Sequence, residues 1–411
     1  MRTLICIPCL LTGGTEIQTL NTVHALVQGG HEVTVACYFE HTPYMVERYR
    51  KAGAKVQLFS PEGTRVGGYR AIPYLYKHLR RTIKAVRPDV AHVQYMAPGA
   101  MVIMLLWLMG VKNIIATAHT AADIYKDLRL IHFLQRHILR AFTCITERAE
   151  RSFFGSSQLY TAETVLGKRN HFTIYNALPA QMRCNVDANV DVDCLRDEDT
   201  QSVYDNVNEN ENCHPDGNSK LYTLNSKLNT KRTLGVVSRL EPIKGMDLVV
   251  LVFAEVLKKF PEVRLLVVGD GSLRTTMEQQ AAELGCADRI AWVGRQPQEE
   301  LAQWYGQMDI VLMPSRSEGF GLTAIEAMAN GCVVVASEVG GLPEVVRDGV
   351  CGLLHRTENV QDMAEMVCKL LSDVAMYDSL RAQSLIEVEK YSFERYAKSI
   401  CDLYERLMFN V

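Results

Sequence analysis

The stretch richest in chemistry is Pro314-Ser-Arg-Ser-Glu318-Gly-Phe-Gly321-Leu-Thr-Ala-Ile-Glu326-Ala-Met-Ala-Asn-Gly331. Glu318 falls in a loop between a strand and a helix, and Glu326 follows eight residues later inside the helix. Carboxylates accept hydrogen bonds, so both suit the vicinal hydroxyls of a sugar or a ribose. A solvated helical face does not account for Glu326, because its neighbours Ala324, Ile325, Ala327 and Met328 read as buried. Gly319 and Gly321 expose backbone amides at the helix start. A second group is Ser238-Arg239-Leu240 with Lys244-Gly245, just past another strand. The guanidinium fork and the mobile ammonium can together neutralise a diphosphate. Gly13-Gly14 separates a first strand from a first helix, where N–H groups can approach a phosphate and the helix terminus favours an anion.

Other motifs carry less. Gly269-Asp270-Gly271 begins like a dinucleotide fingerprint, but Arg274 holds the third glycine position, so a strand-to-helix turn is expected. Cys6 and Cys9 form a C-x-x-C inside an apolar run that reads as a strand, with no second such pair, and a buried structural role is expected. Asp191-Val192-Asp193 and Asp197-Glu198-Asp199 resemble metal-binding acidic pairs, yet no strand precedes either, and they read as solvated charge. Twelve scattered cysteines in 411 residues point to a reducing compartment rather than a disulfide framework.

The elements that must position these residues follow from length and pattern. A chain of 411 residues, 48% of them hydrophobic, is expected to form two α/β domains, each with its own core. Strands are expected at Leu4–Leu10, His31–Tyr38, Val56–Phe59, Asp89–Gln94 and Asn113–Ala118, the last ending at His119, with helices between them. Residues 181–230 break the alternation and read as a flexible acidic insert. From Leu234 the pattern resumes: strands at 234–238, 264–269, 290–293, 310–313 and 333–336 alternate with helices at 246–260, 273–284, 298–306, 322–329 and 341–347. Phe393–Leu407 has helical spacing on one apolar face. The expected domains are 1–180, 231–392 and the insert between them. In open parallel sheets of this kind, ligands bind beyond the carboxyl ends of the strands, which is where the polar groups above stand.

Taken together these residues resemble the retaining glycosyltransferases of family 4, glycosyl transferases group 1, with the GT-B fold: two Rossmann-like doubly wound domains facing across a cleft. The resemblance rests on Glu318 with Glu326, Arg239 with Lys244-Gly245, Gly13-Gly14-Thr15-Glu16, and Ala118-His119-Thr120. It covers most of the chain and not the insert. It implies that Arg239 and Lys244 hold the donor diphosphate and stabilise the leaving nucleotide. Glu326 would hold the ribose, and Glu318 the transferred sugar, helped by the amides of Phe320, Gly321 and Leu322. His119 would touch that sugar from the other domain, Arg295 would lie near the base, and Gly13 and Gly14 near the phosphate or acceptor. It also implies front-face transfer with retained configuration, no cofactor and no metal, and a C-terminal helix, about 393–411, that packs back on the first domain. One departure is Asn176-Ala177-Leu178-Pro179, where the family commonly has Asn-Gly, a hydrophobe and Asp, so the hinge departs from the family pattern while the donor-side motifs keep it.

The partners implied are a nucleotide-sugar donor and a glycan or lipid-linked acceptor, as in surface polysaccharide, lipopolysaccharide or glycolipid synthesis, and no nucleic acid. A nucleotide-sugar epimerase, a phosphorylase and a non-catalytic donor-binding subunit are the alternatives; the first typically lacks the two-glutamate pattern and the second needs a pyridoxal lysine motif. Net charge is −3, but residues 1–180 hold 21 Lys and Arg against 11 Asp and Glu. A basic first domain faces something anionic. Residues 126–151 interleave Arg129, Arg136 and Arg140, read as one helical face, with apolar residues, and are expected to dock on an anionic membrane. With the longest apolar run only at 100–110, the chain reads as cytoplasmic, soluble or peripherally bound.

Overall fold

Apolar runs of four to six residues, buried on both faces, recur along the chain and force parallel strands with helices on either side. The computed structural model describes residues 1–94, 99–167, 170–179, 182 and 232–409. In the first lobe the order is β1 (Arg2–Ile7), α1 (Gly14–Gln28), β2 (Glu32–Cys37), α2 (Pro43–Lys51), β3 (Lys55–Leu58), α3 (Ala71–Val86), β4 (Val90–Gln94), α4 (Gly99–Leu108), β5 (Ile114–Ala118), α5 (Arg129–His137), β6 (Ala141–Cys144), α6 (Glu147–Phe154) and β7 (His171–Thr173). Its strands pair in parallel in the order β3-β2-β1-β4-β5-β6-β7.

The second lobe runs β8 (Thr233–Val237), α7 (Met246–Leu257), β9 (Arg264–Val268), α8 (Arg274–Glu283), β10 (Ile290–Gly294), α9 (Leu301–Tyr305), β11 (Ile310–Met313), α10 (Leu322–Ala329), β12 (Val333–Ser337), α11 (Leu342–Val345), β13 (Gly352–His355), α12 (Val360–Ser372) and α13 (Val374–Glu387), before α14 (Phe393–Phe409). Its parallel sheet has the order β10-β9-β8-β11-β12-β13. Both sheets reverse their winding at one point, between β1 and β4 and between β8 and β11. Crevices beyond the strand ends open at such points.

Each sheet is covered on both faces. In the first lobe Leu75, Leu79, Val102, Ile103, Ile131 and Leu134 of α3, α4 and α5 pack on one face. On the other, α1 and α2 are joined by Tyr396, Ile400, Leu403 and Tyr404 of α14, so the chain ends on the lobe where it began. Tyr404 donates or accepts a 2.7 Å bond with His92 of β4, and Tyr396 pairs with Thr22 of α1 at 2.7 Å.

One expectation needs correction and another lies beyond the described residues. Residues 126–151 are not one amphipathic segment: α5 ends at His137, and the Arg140 amide donates to the Ile114 carbonyl at 2.9 Å as the chain enters β6. Arg140 therefore does not share a helical face with Arg129 and Arg136. The reason is the run Ala141–Cys144, fully buried between β5 and β7. The 181–230 insert, with its acidic pairs Asp191 and Asp193, lies outside the described residues apart from Met182. No helix among the described residues is long and apolar enough to cross a membrane.

Candidate functional site

The second-lobe half of the site forms where β8 and β11 end. After β8, Arg239 stands exposed and a 3-10 turn, Pro242–Lys244, leads to Gly245. Gly245 has φ 66°, and a Cβ there would sit 1.9 Å from the Pro314 carbonyl oxygen. Only glycine lets the loop after β8 lie against the loop after β11. That contact sets Lys244 on Glu318, Nζ to Oε2 2.5 Å, with both side chains largely buried. Arg316 ties the same loops together, its amide donating to the Ile243 carbonyl at 3.0 Å and its guanidinium to the Pro242 carbonyl, and it also pairs with Asp247 of α7 at 2.7 Å and with Glu358 beyond β13 at 2.8 Å. Its fixing role had no separate signal in the sequence.

Glu326 projects from α10 into a buried site. Its two carboxylate oxygens accept from Gln298 Nε2 at 2.8 Å and from the Tyr305 hydroxyl at 2.9 Å. Burial pushes its pKa up to about 7, against the pull of those two donors. A ribose diol at this carboxylate would share it with Gln298 or displace the amide. Gln298 and Tyr305 went unremarked in the sequence, because their contacts to Glu326 cross 28 and 21 residues of chain. The Phe320 ring is buried against Tyr175 and Tyr391, leaving its backbone as the part that can face a ligand. Gly321, at φ 105°, precedes Leu322, the half-buried first residue of α10. Arg295 is exposed just past the edge strand β10, two strands from β8.

The first lobe meets these loops directly. A Cβ on Gly319 would lie 2.5 Å from the His119 carbonyl oxygen, and one on Gly14 would lie 3.4 Å from Leu322 Cδ1. The glycine loop and the end of β5 thus face the start of α10. His119 is buried; its Nε2 pairs with Gln94 Oε1 at 2.8 Å, and burial lowers its pKa to about 3. The imidazole is neutral at ordinary pH. Gly13 stands immediately ahead of α1. A Cβ there would meet Glu16 Oε2 at 2.5 Å, so the missing side chain makes room for a carboxylate of the first turn of α1. Glu16 is buried, accepts from the Cys9 thiol at 3.1 Å, and has its pKa raised chiefly by burial. Cys6 lies in the core, with its thiol pushed up to about 12 by burial. Among the described residues no group of three His, Cys, Asp or Glu is placed to hold a metal ion.

Two further contacts join the lobes. Glu344 of α11 accepts from the Glu147 and Arg148 amides at the start of α6, at 2.7 and 3.1 Å, and the Arg148 guanidinium donates to the Gly340 carbonyl at 2.6 Å. Tyr44 of α2 donates to Glu299 at 3.0 Å, one residue from the Gln298 that holds Glu326.

Residues 224–384 match the family described as "Glycosyl transferases group 1", and residues 12–162 match "Glycosyltransferase Family 4". The chain is 36% identical over 180 residues to a D-inositol 3-phosphate glycosyltransferase of Nocardia farcinica, a match covering 42% of this chain and 40% of that protein. It is 42% identical over 146 residues to the protein of the same name from Mycobacteroides abscessus, covering 34% and 32%. The chain thus spans about two fifths or less of the length of these relatives. Its fold is similar to Anabaena Alr3699/HepE in complex with UDP, with a TM-score of 0.73 at 17% identity over 99% of this chain and all of that one. It is likewise similar to sucrose-phosphate synthase from Thermosynechococcus elongatus, with a TM-score of 0.71 at 18% identity over the full length of both.

Proposed function

Since the chain belongs to the glycosyltransferases of group 1 and family 4, with the GT-B fold, we propose that it moves a sugar from a nucleotide-sugar donor to a glycan or lipid-linked acceptor, with retention of configuration. The observation that carries this reading is the Lys244–Glu318 pair, set opposite His119 by the Gly319 contact. A cation and a carboxylate that neutralise each other in the free protein are the two groups a sugar diphosphate would separate. The ammonium takes the phosphate and the carboxylate takes hydroxyls. Arg239, exposed beside them, adds the second positive charge where the leaving diphosphate gains negative charge. The neutral His119 serves as a hydrogen-bonding partner for the sugar rather than as a cation. The acceptor enters from the basic first lobe, in the setting of surface polysaccharide or glycolipid synthesis at the inner side of the membrane.

The test is a panel of UDP-, GDP- and ADP-sugars screened by thermal shift, with UDP-sugars first because UDP and UDP-glucose are bound in structures of the Anabaena neighbour. A true donor at 100 times its Kd adds about 2.7 kcal/mol. Product formation from the radiolabelled donor then separates an enzyme from a binding subunit. A panel that shifts nothing sinks the donor reading. The two cations and the helix terminus are expected to replace a metal, so activity should persist in EDTA; complete loss restored by a divalent ion would return attention to Asp191 and Asp193.

A further inference from the structure

The cations of the first lobe are unevenly engaged. In the 126–151 stretch Arg129 pairs with Asp127 at 2.6 Å, Arg148 bonds to Gly340 of the second lobe, and Arg151 pairs with Glu147 at 2.9 Å. Residues 66–88 are different. They hold Arg70, Lys77, Arg80, Arg81, Lys84 and Arg87 and no Asp or Glu. None of these six forms an ion pair among the described residues. Lys77, Arg80, Lys84 and Arg87 follow one another at spacings of three, four and three, which places them along one face running off α3.

Beside them runs a second stripe. Tyr69, Ile72 and Tyr76, at spacings of three and four, are 81%, 47% and 43% exposed. They are not the helix's core face. Ala71, Leu75, Leu79 and Thr82 are buried against the sheet, Tyr74 donates to the Tyr38 carbonyl at 3.0 Å, and Thr82 donates to Gln57 at 2.7 Å. So α3 is fixed by one side and shows water a mixed aromatic and cationic side. Amphipathic rings beside unpaired Lys and Arg suit the boundary of an anionic bilayer, where rings enter the headgroup level and cations meet lipid phosphates. The start of α3 lies past the carboxyl end of β3, on the same edge of the sheet as Gly13-Gly14 and His119.

We propose that the outer side of α3, with Tyr69, Ile72 and Tyr76 as its anchors and Lys77, Arg80 and Lys84 as its charge, docks the first lobe on an anionic lipid surface. This rests on the transferase reading only for its purpose, which is to bring a membrane-borne acceptor to the cleft edge. The binding itself stands on the geometry of α3. The experiment is co-sedimentation of the full chain with vesicles of phosphatidylcholine alone and with phosphatidylglycerol added, at low and high salt. Binding is expected only with the anionic lipid and should fall with salt. Arg80→Glu with Lys84→Glu should weaken it about tenfold or more, at roughly 1 kcal/mol for each cation at the surface. Ile72→Ser with Tyr76→Ser should weaken it severalfold, while Arg129→Glu with Arg136→Glu should change it little. Donor-induced thermal stabilisation should be the same in all three variants, which keeps loss of folding apart from loss of docking. Equal binding to both vesicle types overturns the proposal. So does binding to heparin as tight as to vesicles and indifferent to the Ile72 and Tyr76 changes. Vesicle binding without transferase activity would remove the transferase reading and leave the docking surface.

Discussion

At the scale of single residues, charge decides what the proposed donor site can do. On the proposed reading, Arg239 and Lys244 would act most strongly when negative charge builds on the leaving diphosphate, so removing either should cost more in turnover than in binding. Arg239→Ala or Lys244→Ala should each lower kcat by about a hundredfold or more, the scale seen for a single preorganised group. Near-normal turnover in either variant would take that residue out of the role. Lys244→Ala has a second consequence, since it leaves Glu318 in a half-buried site without its counter-ion. Glu326 makes a pH prediction. Its native pKa of about 7 lies above the ordinary 4.5. Between those values the native state holds a proton that the unfolded chain has released. The stability this gives is full below about pH 4.5 and is lost as pH rises through about 7. Donor binding should run the other way, because the ionised carboxylate is the better acceptor for ribose hydroxyls. Donor Kd measured from pH 5.5 to 8.5 should tighten through about pH 7 in the wild type and stay flat in Glu326→Gln. The same Kd at both ends in the wild type would mean that Glu326 does not hold the ribose.

At the scale of elements, helix α6 is a joint between the lobes. Its first amides point at the Glu344 carboxylate, its own Thr146 hydroxyl caps the Ala149 amide at 3.0 Å, and the helix dipole favours the anion there. Hydrogen bonds to a charged group contribute about 1.5–3 kcal/mol each when well formed. Glu344→Ala should therefore open the cleft, raising the radius of gyration by small-angle scattering and weakening donor affinity at least about tenfold. An unchanged radius would show that the lobes are held by other contacts. The alternation of strand and helix was legible because buried parallel strands are short apolar runs punctuated by glycine, as in Val333–Ser337 ahead of Gly340. The β6 strand was not. Its four residues, AFTC, carry no period, and the arginines and leucines before them mimic a longer helix. Of the site, the loops that carry Arg239, Lys244 and Glu318 were legible because polar residues beyond apolar strands stand out. The Gln298, Tyr305 and Gln94 contacts were not, since each depends on where a distant loop folds back.

At the scale of the whole molecule, the chain passes from the first lobe to the second and returns. The amphipathic face of α14 was readable as a helix from its spacing, whereas its return to the first lobe came only from the family resemblance. It fills the first-lobe core with Tyr396, Ile400, Leu403, Tyr404 and Leu407. Tyr404 is fully buried, its ring edge-on to His31 and His92 and its hydroxyl 2.7 Å from His92 Nδ1. His92 in turn meets Thr117 at 2.6 Å on β5, the strand that leads into His119. Burial lowers the His92 pKa to about 3, so this is a neutral chain of hydrogen bonds, which is weakened by loss of a partner and indifferent to pH near 7. Tyr404→Phe leaves His92 with a buried nitrogen unsatisfied and should cost about 1–3 kcal/mol. Tyr404→Ala adds a cavity and should cost about 3–5 kcal/mol, the range for a large aromatic. Both losses belong to the first lobe. Calorimetry with saturating donor should show a transition that falls in temperature and a donor-stabilised one that does not move. A single transition shifting as a unit in both variants would instead mean that the two lobes unfold together, with α14 as the tie that couples them.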